Sequence, residues 1–191
     1  MIVTTQMIVD NLKGYSNPMT KLGRLVKEGQ YTPVIRGLYE TDPTTPGYLI
    51  SNLYSPSYLS FEYALSRYGL IPEGVRAYTL ATYGKNKQKT YHTPFGTFRF
   101  RDIPEKAFSA GIKLIEEGDY TYWMASPEKA LCDKLYAITP IESKRHMEAL
   151  LLDDLRIYED GLESMDCNLI DRLSRLYHSK NVSLFRDFML R

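Results

Sequence analysis

A chain of 191 residues, 43% hydrophobic and 25% charged, has the balance of a folded domain and too much apolar content for a disordered one. Lys and Arg total 24 against 23 Asp and Glu, and a formal net charge of +1 excludes a uniformly basic, histone-like nucleic-acid binder. The total conceals an asymmetry: residues 1–36 carry net +3, residues 85–101 net +5, residues 102–191 net −5, and residues 37–84 the remaining −2. The two cysteines, Cys132 and Cys167, are isolated, which argues against a disulfide framework or a zinc site and fits a reducing compartment. The N-terminus lacks the apolar core of a signal peptide, and no stretch approaches a membrane span. A cytoplasmic protein without a cofactor, metal or membrane role is expected.

In chain order, Thr4-Thr5-Gln6 reads as an N-cap region, with Met7, Ile8 and Leu12 behind it at helical spacing. Gly14-Tyr15-Ser16-Asn17 breaks that helix. Asn17 then caps a second helix that has Pro18 at its first position. Met19, Leu22, Leu25 and Val26 form its apolar stripe, Lys21, Arg24 and Lys27 fall off it, and Gly29 stops it. Gly23 weakens the pattern by about 1 kcal/mol relative to Ala. Tyr31–Ile35 and Leu38–Glu40 read as short strands joined at Arg36-Gly37. Helix, turn, basic helix and hairpin is the layout of a winged helix-turn-helix, here over residues 1–41. Residues 42–47 read as a linker by composition.

A second unit is expected over residues 48–191. Ser55-Pro56-Ser57 is expected to open a helix with Phe61, Ala64, Leu65 and Tyr68 on one face, closed by Gly69 and Pro72. Ala77 to Arg101 reads as strands punctuated by Gly84 and Pro94-Phe95-Gly96. Ser126-Pro127-Glu128 starts another helix, and residues 142–191 read as three more.

The polar face of the second helix has the side chains a DNA-reading helix needs: cations for phosphates and short polar groups for base edges. Asn17, Thr20, Lys21, Arg24 and Lys27 supply them, and Arg36 at the hairpin tip suits a minor groove or a phosphate. The alternative is an amphipathic helix with solvated lysines. About a dozen residues precede the turn, fewer than a winged helix-turn-helix usually has. The unit's core must therefore be completed by the rest of the chain, or the motif is degenerate. Lys85, Lys87 and Lys89 share a parity, as do Arg99 and Arg101. Pairing as a hairpin around Pro94-Phe95-Gly96 would gather the five into one patch, suited to an acidic partner or a phosphate backbone. The alternative is an ordinary exposed sheet face whose lysines guard an edge. The aromatic segment Tyr54–Phe61 resembles a ligand cradle, although packing of one helix explains it as well.

Catalytic signals are absent. His92, His146 and His178 have no ligand-like spacing. Asp153-Asp154 reads as a solvated helix face, and Glu128 and Asp133 as a helix start and a surface partner for Lys129 or Lys134.

Four segments carry a family resemblance. Ser57–Leu65 followed by Tyr68–Glu73 resembles the "S-ALxxxGLIP" segment of AbiEi-type antitoxins. Arg36-Gly37-Leu38-Tyr39 is similar to their "RGxY" wing end, Gly96–Phe100 to their "GxYxF" strand with Phe98 in place of Tyr, and Ala125–Asp133 to their "A-PEKALxD" helix. All four occur in the family's order. The resemblance implies an α+β protein: an abbreviated N-terminal winged helix-turn-helix, then a mixed α/β antitoxin domain with a helical C-terminal part. It implies no enzymatic activity, a role in type IV toxin–antitoxin systems and abortive infection, repression of its own operon through operator DNA, and a nucleotidyltransferase-type AbiEii-like toxin as functional partner. The alternative is an interaction module without DNA binding.

Overall fold

The computed structural model describes residues 1–190. Its first sheet is built from β1 (Ile2–Thr4), β2 (Thr32–Ile35) and β3 (Leu38–Glu40), in the antiparallel order β1-β3-β2. Between β1 and β2 run α1 (Thr5–Asn11) and α2 (Pro18–Lys27). Both caps lie where the sequence places them: the Thr4 hydroxyl accepts from the Met7 amide at 3.2 Å, and Asn17 Oδ1 accepts from the Thr20 amide at 3.1 Å. Gly29, at φ +78°, follows the α2 C-cap. The strand β1 was not expected; three residues are too few to show a period.

Ile8, Leu22 and Leu25 are buried between the two helices and the sheet, whereas Met19 of the expected stripe is exposed. Val34 belongs to the main core, and Ile2, Ile35 and Leu38 pack against it. The expected linker, residues 42–47, is not a free tether: Thr45 and Gly47 are buried.

After it, a 3-10 segment (Gly47–Tyr54) leads to β4 (Tyr58–Leu59) and α3 (Phe61–Arg67). The helix expected to open at Ser55-Pro56-Ser57 therefore begins later, behind Ser60, because Tyr58 and Leu59 are taken up as the central link of the second sheet. Gly69, at φ +68°, ends α3 as expected. The strands β5 (Tyr78–Thr82), β6 (Lys89–Thr93) and β7 (Gly96–Asp102) follow. Next come α4 (Glu105–Phe108) and an unanticipated hairpin, β8 (Ile112–Glu117) and β9 (Tyr120–Ala125). The mixed sheet has the order β6-β7-β5-β4-β9-β8, with β5/β7 and β4/β9 parallel.

The helical end comprises α5 (Pro127–Tyr136), α6 (Lys144–Ala149) running into a π-helical turn (Leu150–Asp154), α7 (Glu159–Glu163), α8 (Cys167–Tyr177) and α9 (Lys180–Met189). The short α7 divides what reads as three helices, since Arg156 takes a positive φ and Tyr158 turns back to donate its amide to the Leu70 carbonyl at 3.0 Å. The architecture is thus mixed α/β. No helix among the described residues is long and apolar enough to cross a membrane.

Candidate nucleic-acid interface

The six residues expected to meet DNA lie on one exposed element pair. At 100° per residue, Asn17, Thr20, Arg24 and Lys27 fall within an arc of about 80° on the side of α2 opposite Leu22 and Leu25. All four are exposed. Lys21 lies at the edge of this arc, half-buried, with its ammonium 5.4 Å from the centre of the exposed Tyr15 ring. A depression of about 190 Å³ at the start of α2 is lined by Tyr15, Asn17, Thr20, Lys21 and Arg24 among others. Arg36 occupies the two-residue β2–β3 turn beside Gly37, which adopts φ +85°. The Gly37 carbonyl accepts from the Thr5 amide at 3.0 Å, fixing the hairpin tip against the start of α1.

Arg24, Lys27 and Arg36 have no ion-pair or hydrogen-bond partner for their side chains among the described residues. The Asn17 carbonyl oxygen is committed to its cap, so only its amide nitrogen is free to donate.

The second basic block is organised differently from the expectation. The hairpin forms, with Thr93 opposite Gly96, but its register pairs Lys89 with Phe100 and Thr90 with Arg99. Opposed residues share a face, so the lysine and arginine sets project from opposite sides of the sheet. Lys85 and Lys89 lie 5.1 and 5.0 Å from the centre of the Tyr54 ring, while Lys87 is exposed in the loop before β6. On the other side, Arg101 pairs with Glu62 at 3.3 Å and covers the Phe61 ring, and Arg99 is exposed. The single five-charge patch does not exist.

Sequence reasoning missed a buried polar cluster. Lys129 and Asp133, expected at the surface, are both 0% exposed. Lys129 Nζ donates to the Ala107 carbonyl at 2.7 Å and the Tyr177 hydroxyl at 2.5 Å, and lies 3.3 Å from Asp133 Oδ1. Asp133 accepts from Ser60 Oγ at 2.6 Å, from the Tyr58 hydroxyl at 2.9 Å and from the Tyr177 hydroxyl. Burial drives the Lys129 pKa down against the raising effect of Asp133, and drives both tyrosine pKa values well up. The cluster is enclosed and fixes α5 against β4 and α8. The one available signal is that α5 carries Ala130, Leu131, Cys132 and Leu135 around most of its circumference, as a helix buried on all sides does.

Asp153 and Asp154 are exposed. Among the described residues no group of three or more His, Cys, Asp or Glu is placed to hold a metal ion. His178 is in the left-handed conformation at the end of α8, at φ +48°.

No protein-family model and no curated protein sequence matches the chain. Residues of three of the four segments that carry the AbiEi resemblance meet in the main core, while Arg36 of the fourth is exposed at the hairpin tip. Ser60, Ala64, Leu65, Phe98, Phe100, Leu131 and Asp133 are all buried, and Ser60 of the first motif bonds Asp133 of the last. They occupy positions that packing constrains.

Proposed function

We propose that the chain is a DNA-binding regulator that contacts duplex DNA through α2 and the β2–β3 hairpin, and that it serves as the antitoxin of an AbiEi-like type IV system. The observation that carries the first half is the arc of α2 with Thr20, Arg24 and Lys27 exposed and the two cations unpaired, set beside Arg36 at the hairpin tip. Strand, two helices and a hairpin, with strands in the order β1-β3-β2, support reading this unit as an abbreviated winged helix-turn-helix. In this reading α2 enters the major groove. Thr20 and the Asn17 amide face base edges, and Lys21, Arg24, Lys27 and Arg36 hold phosphates.

The antitoxin half rests on the four ordered motifs. It brings with it a non-enzymatic mode of action and a nucleotidyltransferase-type toxin as functional partner. The two halves separate experimentally. Gel-shift titration with the DNA upstream of the reading frame tests the first, with Arg24→Ala and Lys27→Ala together expected to weaken the shift at least tenfold at about 0.15 M salt. Co-expression with the toxin encoded by a neighbouring frame tests the second, because rescue by the same double variant is expected to persist. A shift that the double variant retains in full overturns the assignment to α2, and failure of the wild-type chain to rescue overturns the antitoxin role.

A further inference from the structure

The second sheet ends on an open strand. Among the described residues β8 pairs with β9 alone, and its outer edge meets no strand. The Ser126 amide donates to the Gly111 carbonyl at 2.7 Å. The antiparallel alternation that starts there turns the backbone N–H and C=O groups of Ile112, Leu114 and Glu116 outward. The strand carries no bulge and no proline that would keep another strand away.

Edge strands are commonly guarded by charge, and Lys113, Glu116 and Glu117 are exposed here. Their order, however, is self-complementary. Lys113, Ile115 and Glu117 share one face of β8. A second β8, laid antiparallel about a twofold axis at Ile115, sets Lys113 of each copy opposite Glu117 of the other. In that register the outward backbone groups of Leu114 meet those of Glu116 and exchange hydrogen bonds. Within its own chain Lys113 has no carboxylate partner, and Glu117 accepts from the hydroxyls of Tyr48 at 2.7 Å and Tyr122 at 3.4 Å without meeting a cation.

The other face of the edge is apolar where a guarded edge would be polar. Leu114 is 47% exposed and lies opposite Trp123, which is 40% exposed. An axis perpendicular to the sheet keeps its faces, so both Leu114–Trp123 pairs come to one side, with each Leu114 diagonal to the other. Association then withdraws this surface from water. We propose that the chain forms a homodimer by antiparallel pairing of β8 with β8 of a second copy, joining two six-stranded sheets into one. The interface shares no residue with the DNA-reading face.

One short strand per copy makes a small interface, so a Kd of about 10–100 µM is expected. Sedimentation equilibrium of the full chain from about 5 to 500 µM spans that range. The mass is expected to rise from 22.1 kDa toward twice that value. Lys113→Glu and Glu117→Lys each set like charges opposite one another, and each alone is expected to weaken association about tenfold. The double exchange restores the attraction and is expected to return the Kd to within about threefold of wild type. Circular dichroism checks that each variant remains folded. A mass of 22.1 kDa throughout overturns the proposal, and so does a dimer that the single exchanges leave unchanged. A double exchange as weak as the single ones overturns the register, and a mass growing beyond the dimer contradicts a closed twofold pair.

Discussion

Single residues decide which charges are free to act outward. Arg101 resembles Arg99 in sequence, yet it is bound to Glu62, which also takes Lys134 at 2.6 Å. Burial works to raise the Glu62 pKa, but the Lys134 hydrogen bond and the Lys134 and Arg101 charges outweigh it and hold the group below its ordinary 4.5. Glu62→Gln is therefore expected to cost about 1 kcal/mol at pH 7, discounted for partial exposure. A depressed carboxyl pKa contributes stability above its unfolded value and loses it as pH falls through the folded value. Urea unfolding of both proteins from pH 7 to about 3 should show the difference closing below about pH 4.5; a constant difference would contradict the pairing. Lys129 and Asp133 differ in kind. Asp133→Asn leaves a buried ammonium without its counter-charge, and a loss of about 3–5 kcal/mol in urea unfolding is expected. A loss below about 1 kcal/mol would mean that the pair is accessible to water.

At the scale of elements, two glycines have opposite meanings. A Cβ on Gly47 would lie 2.3 Å from the Phe95 carbonyl oxygen and 2.4 Å from the Tyr78 ring, so the 3-10 segment seats against the β6–β7 turn only without a side chain. Gly23, exposed on α2, meets nothing within 4 Å. Gly47→Ala is expected to destabilise by about 3 kcal/mol and Gly23→Ala to stabilise by about 1 kcal/mol in the same assay. Reversed signs would contradict the packing.

These elements also show what the sequence makes legible. The start of α2 is readable because Asn17-Pro18 is local chemistry, a cap and an N1 proline. The stop signals Gly29 and Gly69 are equally local. The hairpin β8–β9 is not readable: Ile112-Lys113-Leu114-Ile115-Glu116-Glu117 alternates poorly, and its partner Tyr120–Ala125 is apolar at nearly every position. The burial of Lys129 and Asp133 is illegible for another reason. An i,i+4 Lys–Asp pair on a helix looks like surface, and only Tyr58 and Tyr177, distant in sequence, place it inside. The register of β6 against β7 likewise depends on the two-residue Pro94-Phe95 turn, and one step in it decides whether five charges share a face.

For the whole molecule, a net charge of +1 describes no surface. The N-terminal excess lies exposed on α2 and the hairpin tip, the central excess divides between two faces of a sheet, and Val34, Ile2, Ile35 and Leu38 join the first sheet to the main core. The N-terminal unit thereby packs on the core of the rest of the chain. The slope of log affinity against log salt for the upstream DNA tests this placement most directly, because it counts neutralised phosphates. Contacts from Lys21, Arg24, Lys27 and Arg36 are expected to give a slope of about −3.6 per bound chain, falling to about −1.8 in the Arg24→Ala, Lys27→Ala variant. A slope near zero, or one that the two substitutions leave unchanged, would contradict it.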